Sequence, residues 1–92
     1  MKIRENRAFK EYEAVEVLVE KERYTKHGVH KGMQGWICHD ERVEGMWLVN
    51  FPQYGDHEDI ATTSVHEDDL KIISDWNAWI NERIRAEHES KS

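Results

Sequence analysis

The 92-residue sequence predicts a mainly β fold, a small five-stranded barrel followed by a C-terminal α-helix, on three observations. In Ala14-Val15-Glu16-Val17-Leu18-Val19-Glu20 the apolar Val15, Val17 and Val19 alternate with Glu16, Leu18 and Glu20, the period-two pattern of a strand with one buried face. In Val29-His30-Lys31-Gly32-Met33-Gln34-Gly35-Trp36-Ile37 two glycines bracket a sharp bend before a bulky strand, because a tight loop exit or a bulge needs a permissive backbone. Near the C-terminus Trp76, Trp79, Ile80 and Ile84 stand at i, i+3, i+4 and i+8, the spacing of one helical face.

Residues 1–12 are expected to form an N-terminal arm or short helix that docks Phe9 and Tyr12, and residues 13–73 the barrel. Its first strand covers residues 14–20, valine face inward. Lys21 to Lys31 is a polar excursion anchored by Tyr24, Gly28 and Val29; it is long for a hairpin and so a candidate functional loop. The second strand runs from about Gln34 to His39, with Trp36 and Cys38 on one face and Ile37 on the other, and Trp36 and Trp76 are assigned to the core. Asp40 to Gly45 is a polar turn whose glycine closes a hairpin into the third strand, Met46 to Phe51, which Pro52 stops because proline offers the ladder no donor. Tyr54 to Asp59 is a second polar loop, Ile60 to Val65 a β-branched strand, His66 to Leu70 one helical turn and Lys71 to Ile73 the closing strand. Ser74 or Asp75 caps a helix over residues 74–88, packed on the barrel by its tryptophan face, and residues 89–92 are a frayed tail. Truncating that face by Trp76→Ala is expected to unfold the chain or badly destabilise it.

Composition narrows the classes. Although 35% of the residues are charged, four tryptophans and a strongly patterned middle argue for one folded domain rather than disorder. The single cysteine, Cys38, excludes an intramolecular disulfide and a cysteine-based zinc framework, which suits a reducing compartment. With no charged-then-apolar leader and no apolar run of bilayer-spanning length, the expected location is cytoplasmic, with no membrane partner. The net charge of −6 is uneven: residues 1–37 carry eight Lys/Arg against six Asp/Glu, and residues 38–92 carry five against thirteen. A phosphate backbone repels so acidic a surface, which disfavours nucleic acid and favours a basic protein as partner.

The valine strand at 15–19, the polar loop ending in His30-Lys31-Gly32, Gly35-Trp36-Ile37, the strand Trp47-Leu48-Val49-Asn50-Phe51, and the closing run from Val65 to Ile73 together resemble the small Src-homology-type barrels. These include KOW modules, the photosystem accessory barrel subunit and the β-subunit barrel of nitrile hydratase, and the chain is also similar to short bacterial stand-alone barrel domains of unknown function. The resemblance covers residues 13–73 and implies a closing element made of a short helical turn and a strand. It also implies a ligand-facing surface, in or beside which Tyr24, Trp47 and Tyr54 fall, where aromatics read peptides or bases. The chain departs from a KOW module in lacking its run of basic residues, and from the minimal barrel in adding a tryptophan-bearing helix.

No constellation points to catalysis. His39, His57 and His66 are flanked by carboxylates, the ligand chemistry of zinc or non-haem iron, but no HExxH or other rigid spacing holds them. They read as solvated surface histidines, so no metal and no cofactor is expected, and zinc or a chelator should leave the melting temperature unchanged. Cys38 reads as a packed, inert thiol, and neither a serine elbow nor a phosphate-cradling glycine pattern is present. The acidic connections Asp40-Glu41, Asp56 to Asp59 and Glu67 to Asp69 could be gathered by a small barrel into one negative field, with Asp56, Asp59, Asp68 and Asp69 its partner-binding residues.

These features point to a non-enzymatic protein-binding module, an acidic immunity- or inhibitor-type protein that occludes a basic partner. Two other readings stay open. One is a KOW-like module touching RNA or a ribonucleoprotein through Lys21, Arg23, Lys26 and Lys31; the other is a noncatalytic accessory subunit of an enzyme.

Overall fold

A computed structural model describes residues 9–39, 41–52, 59–75 and 77–90. Along the chain run β1 (Ala14–Val17), α1 (Glu22–Thr25), β2 (Gln34–Ile37), β3 (Met46–Phe51), β4 (Ala61–His66), a 3-10 turn (Glu67–Asp69), β5 (Leu70–Ile72) and α2 (Ala78–Ser90). The strands form one antiparallel sheet in the order β4-β3-β2-β1-β5, curled into a half-barrel, with α2 following. The mainly β class, the five strands and the C-terminal helix are as the sequence predicts.

Alternation builds the interior. Val15 and Val17 of β1, Trp47, Val49 and Phe51 of β3, and Val65 of β4 are buried on the concave side, where Met33 and Val29 from the loop before β2 join them. Phe9 closes one end, its ring edge-on to Trp47 at 5.1 Å between centroids. Tyr12 does not dock beside it but is exposed, with a positive φ of 70° as the chain turns into β1. Residues 1–8 of the expected arm lie outside the described residues.

Two glycines make the curl possible. Gly32 has a φ of +92°, and a Cβ on Gly35 would run into the carbonyl oxygen of Asn50, so β2 and β3 approach as closely as they do only because residue 35 has no side chain. The hairpin into β3 turns at Glu44 and Gly45, whose φ values of 54° and 81° match the first and second positions of a type I′ turn.

Some elements differ from the sequence expectation. β1 ends at Val17 rather than residue 20: Leu18 still donates its N–H to Asp69 O, but the chain then leaves the sheet for α1. In β2 it is Ile37 that faces the core, which turns Trp36 to the other side, where it is half-buried. The cap of α2 is Asn77, not Ser74 or Asp75; its Oδ1 accepts the Trp79 N–H at 2.9 Å.

The helix docks by only part of the expected face, with Ile84 but not Trp79 turned to the core. Trp79 is 62% exposed, whereas Asn81 is fully buried and Ile84 packs against the core. Trp76, on which the expected tryptophan face rested, lies outside the described residues. The Asn81 side chain accepts from Gln34 N at 2.7 Å and donates to Gln34 O at 2.7 Å and Pro52 O at 2.9 Å. Cys38 N donates to Leu48 O and Trp36 pairs with Asn50, so continuing the register sets Gln34 opposite Pro52 at the next rung. Proline has no N–H to give there, and the Asn81 amide stands in for the missing rung, bridging both strands. Asn77 adds a second tie, its N–H reaching Gln34 Oε1 at 2.9 Å.

Candidate functional site

The acidic turn after β4 is pinned from three sides. His66 Nδ1 accepts the Asp68 N–H, which starts the 3-10 turn, and the Glu67 N–H donates to Gly45 O on the neighbouring hairpin. Glu67 therefore points inward, where its carboxylate takes a two-pronged hydrogen bond from Arg42 at 2.7 and 3.0 Å and one from the Trp47 indole N–H at 3.2 Å. Asp69 also points inward. It accepts from the Tyr24 hydroxyl at 2.6 Å and from Lys21 Nζ at 3.2 Å, while the same hydroxyl accepts the His66 N–H at 3.1 Å.

This geometry sorts the residues that the sequence nominates. Tyr24 is buried beneath the turn, with the Arg23 guanidinium 5.8 Å from its ring centre, and Trp47 is buried against Phe9; neither ring lies on a ligand-facing surface. Asp69 is buried and paired, so it anchors the turn instead of adding to an external acidic field. Asp59 and Asp68 are exposed, Asp59 accepting the Asn50 side-chain N–H at 3.0 Å. Tyr54 and Asp56 lie outside the described residues, as do Asp40 and His57. Of the cations considered for RNA, Lys21 is held by Asp69.

The buried pairs shift their own ionisation. Burial works to raise the Asp69 pKa, but the Tyr24 hydroxyl, the Lys21 ammonium and the field of His66 together outweigh it and hold the carboxyl below the usual range. Burial and the Asp69 carboxylate push Tyr24 upward. Cys38 is half-buried, and burial, then Asp59 and Glu11, raise its thiol, in keeping with a thiol of low reactivity. A carboxyl with a lowered folded pKa stabilises the fold above its unfolded pKa, and that contribution fades as pH falls through the folded value. Asp69→Asn should therefore cost about 1.5–3 kcal/mol near neutrality, the scale of a hydrogen bond to a charged group. The gap between variant and parent in urea titrations should close as pH drops below the ordinary aspartate range; a gap independent of pH would show that the charge contributes nothing.

The half-barrel leaves β4 as an edge: among the described residues no strand pairs its outer side. Glu67 N bonds Gly45 O, so in the unbroken β3–β4 register Val65, Thr63 and Ala61 turn their backbone groups toward β3. Thr62, Ser64 and His66 then turn theirs outward, and the His66 N–H is taken by Tyr24. Thr62 and Ser64 remain exposed, with Asp59 before the strand and Asp68 after it. No sequence period could single out this edge, because the direction of each N–H follows from the register.

A separate group of donors gathers where the loop before β2 meets the end of α2: Glu20, His30 and His88, which sequence spacing does not nominate. Among the described residues no helix is long and apolar enough to cross a membrane. Compared with protein families, with curated proteins and with solved structures, the chain matches none of them.

Proposed function

We propose that this chain is a non-enzymatic protein-binding module of the Src-homology type, acting in the manner of an acidic inhibitor that takes an extended, basic segment of a partner protein onto the outer edge of β4. The observation that carries the reading is that edge. Ala61 to Val65 contains no charge, proline or bulge, the devices that normally keep an edge strand from pairing. Thr62 and Ser64, whose backbone groups the register turns outward, are exposed residues, and Asp59 and Asp68 flank the strand with negative charge. Main-chain pairing would supply affinity and the flanking carboxylates would select for Lys or Arg at the ends of the added strand. The Src-homology assignment is supported by the order of elements, in which a long excursion separates β1 from a β2-β3-β4 meander and a 3-10 turn leads into β5 beside β1.

The test uses Ser64→Pro, which deletes an outward N–H and leaves the β3–β4 ladder intact. Extended peptides carrying Lys and Arg, and matched peptides carrying Glu, are titrated while backbone amide signals are followed by NMR. Basic peptides should shift Thr62 and Ser64, lose affinity with salt, and bind Ser64→Pro about tenfold more weakly, the value of one or two net hydrogen bonds. Equal response to acidic and basic peptides, or shifts confined to Lys26 and Lys31 with a single-stranded oligonucleotide as the better ligand, would overturn it.

A further inference from the structure

We propose that Glu20, His30 and His88 form a transition-metal site that takes zinc(II) and clasps the end of α2 to the half-barrel. The three residues come from the segment after β1, the loop before β2 and the last turns of α2, and one donor atom of each lies within 4.8 Å of the others. His30 Nδ1 is 2.7 Å and His88 Nε2 is 3.8 Å from Glu20 Oε2. Donors bound tetrahedrally at the usual zinc distances sit about 3.4 Å apart, so the Glu20–His30 pair must open and the Glu20–His88 pair close, each by less than an ångström, and the two imidazole nitrogens, now within 4.8 Å, must come to the same spacing.

The carboxylate is already held for the task. Glu20 Oε1 accepts the Lys31 N–H at 2.7 Å, an outer bond of the kind that fixes the orientation of a metal-binding carboxylate. Two imidazoles and one carboxylate suit zinc and its neighbours, whereas magnesium and calcium call for more oxygen donors. Three protein donors leave the fourth position of a tetrahedron to water.

One rearrangement is built into the proposal. The His30 and His88 rings are stacked, 3.6 Å between centroids and 7° from parallel. A bound ion lies in the plane of each imidazole, along the nitrogen lone pair, so two stacked parallel rings cannot share it. The His88 side chain is the more exposed of the two and must swing out of the stack to bind.

The untagged 92-residue chain, stripped with chelator, is scanned for melting temperature with zinc chloride or magnesium chloride, and titrated with cobalt(II) in the visible. Zinc at about a hundredfold above its Kd should raise the melting temperature by about 10 °C or more, as follows for a ligand of the folded state of a small domain, in place of the unchanged value expected from His39, His57 and His66 alone. Magnesium should do nothing, and cobalt should give the d–d bands of a four- or five-coordinate ion. His88→Gln, at an exposed helix position where the fold does not depend on it, and Glu20→Gln should each abolish both responses. No shift with zinc, or a shift of equal size in His88→Gln, would overturn the site, the second by placing the bound ion elsewhere.

Discussion

Asn81→Leu is expected to destabilise the fold by about 3–5 kcal/mol, the sum for three buried backbone groups stripped of their partners. Leucine is close to asparagine in reach and more apolar, so an ordinary core position would tolerate it. Here it would orphan the N–H and carbonyl of Gln34 and the carbonyl of Pro52, which the Asn81 amide now satisfies. The neighbouring rung cannot compensate, because Pro52 has no N–H. Asn81→Asp separates the contributions: it keeps the acceptor for Gln34 N, removes both donated bonds and sets a carboxylate against two carbonyl oxygens. Trp79→Ala, by contrast, removes a side chain that is 62% exposed and should cost no more than about 2 kcal/mol, clearly less than Asn81→Leu. Urea midpoints of the three variants decide the matter. A large loss at Trp79 with a small one at Asn81 would mean that the helix docks by its tryptophan face after all.

That contrast marks where the sequence can be read and where it cannot. β3 is legible to the residue, since Trp47, Val49 and Phe51 alternate with Met46, Leu48 and Asn50 and nothing else in the chain competes for that pattern. Gly35 is legible as a backbone device, because a residue without a Cβ weakens a strand unless the backbone there needs the room. The docking face of α2 is legible only in part. Hydrophobic spacing names Ile84, which does dock, but sets it with Trp79, which does not, because the rotation of the helix follows a polar residue, Asn81, whose partner requirement is created by a proline in another strand. The acidic turn misleads for the same reason: Glu67-Asp68-Asp69 reads as solvated, yet Glu67 and Asp69 turn inward because Arg42, Trp47, Lys21 and Tyr24 arrive from elements distant in sequence. Of the candidate site, the sequence names Asp59 and Asp68, which stand exposed, but the strand edge between them is a product of register. Glu20, His30 and His88 escape such a reading because ligand spacing within one helix or loop is a local signal and their convergence is not.

Arg42 and Glu67 form an ion pair whose two halves should respond unequally to removal. The Arg42 side chain is 52% exposed and the Glu67 side chain 2%. When Glu67→Met takes away the carboxylate, Arg42 can turn into water, and the main loss is the buried Trp47 indole N–H left without that acceptor, about 1–3 kcal/mol. When Arg42→Met takes away the guanidinium, a carboxylate buried in the core-facing side of the 3-10 turn loses its two-pronged partner and cannot reach water without unseating the turn. The exposed residue is therefore the more damaging one to lose, the reverse of what exposure alone would predict. The turn also sets Asp69 and the start of β5, so its displacement in Arg42→Met should loosen the Leu18–Asp69 bond and speed amide exchange along β5, while α2 keeps its protection. Urea midpoints ordered parent, Glu67→Met, Arg42→Met, with a red shift of Trp47 fluorescence in both variants, are the expected outcome. An Arg42→Met midpoint at or above that of Glu67→Met would show that the Glu67 carboxylate is supported without Arg42, and that the inward turn of the acidic segment stands on its backbone and indole bonds.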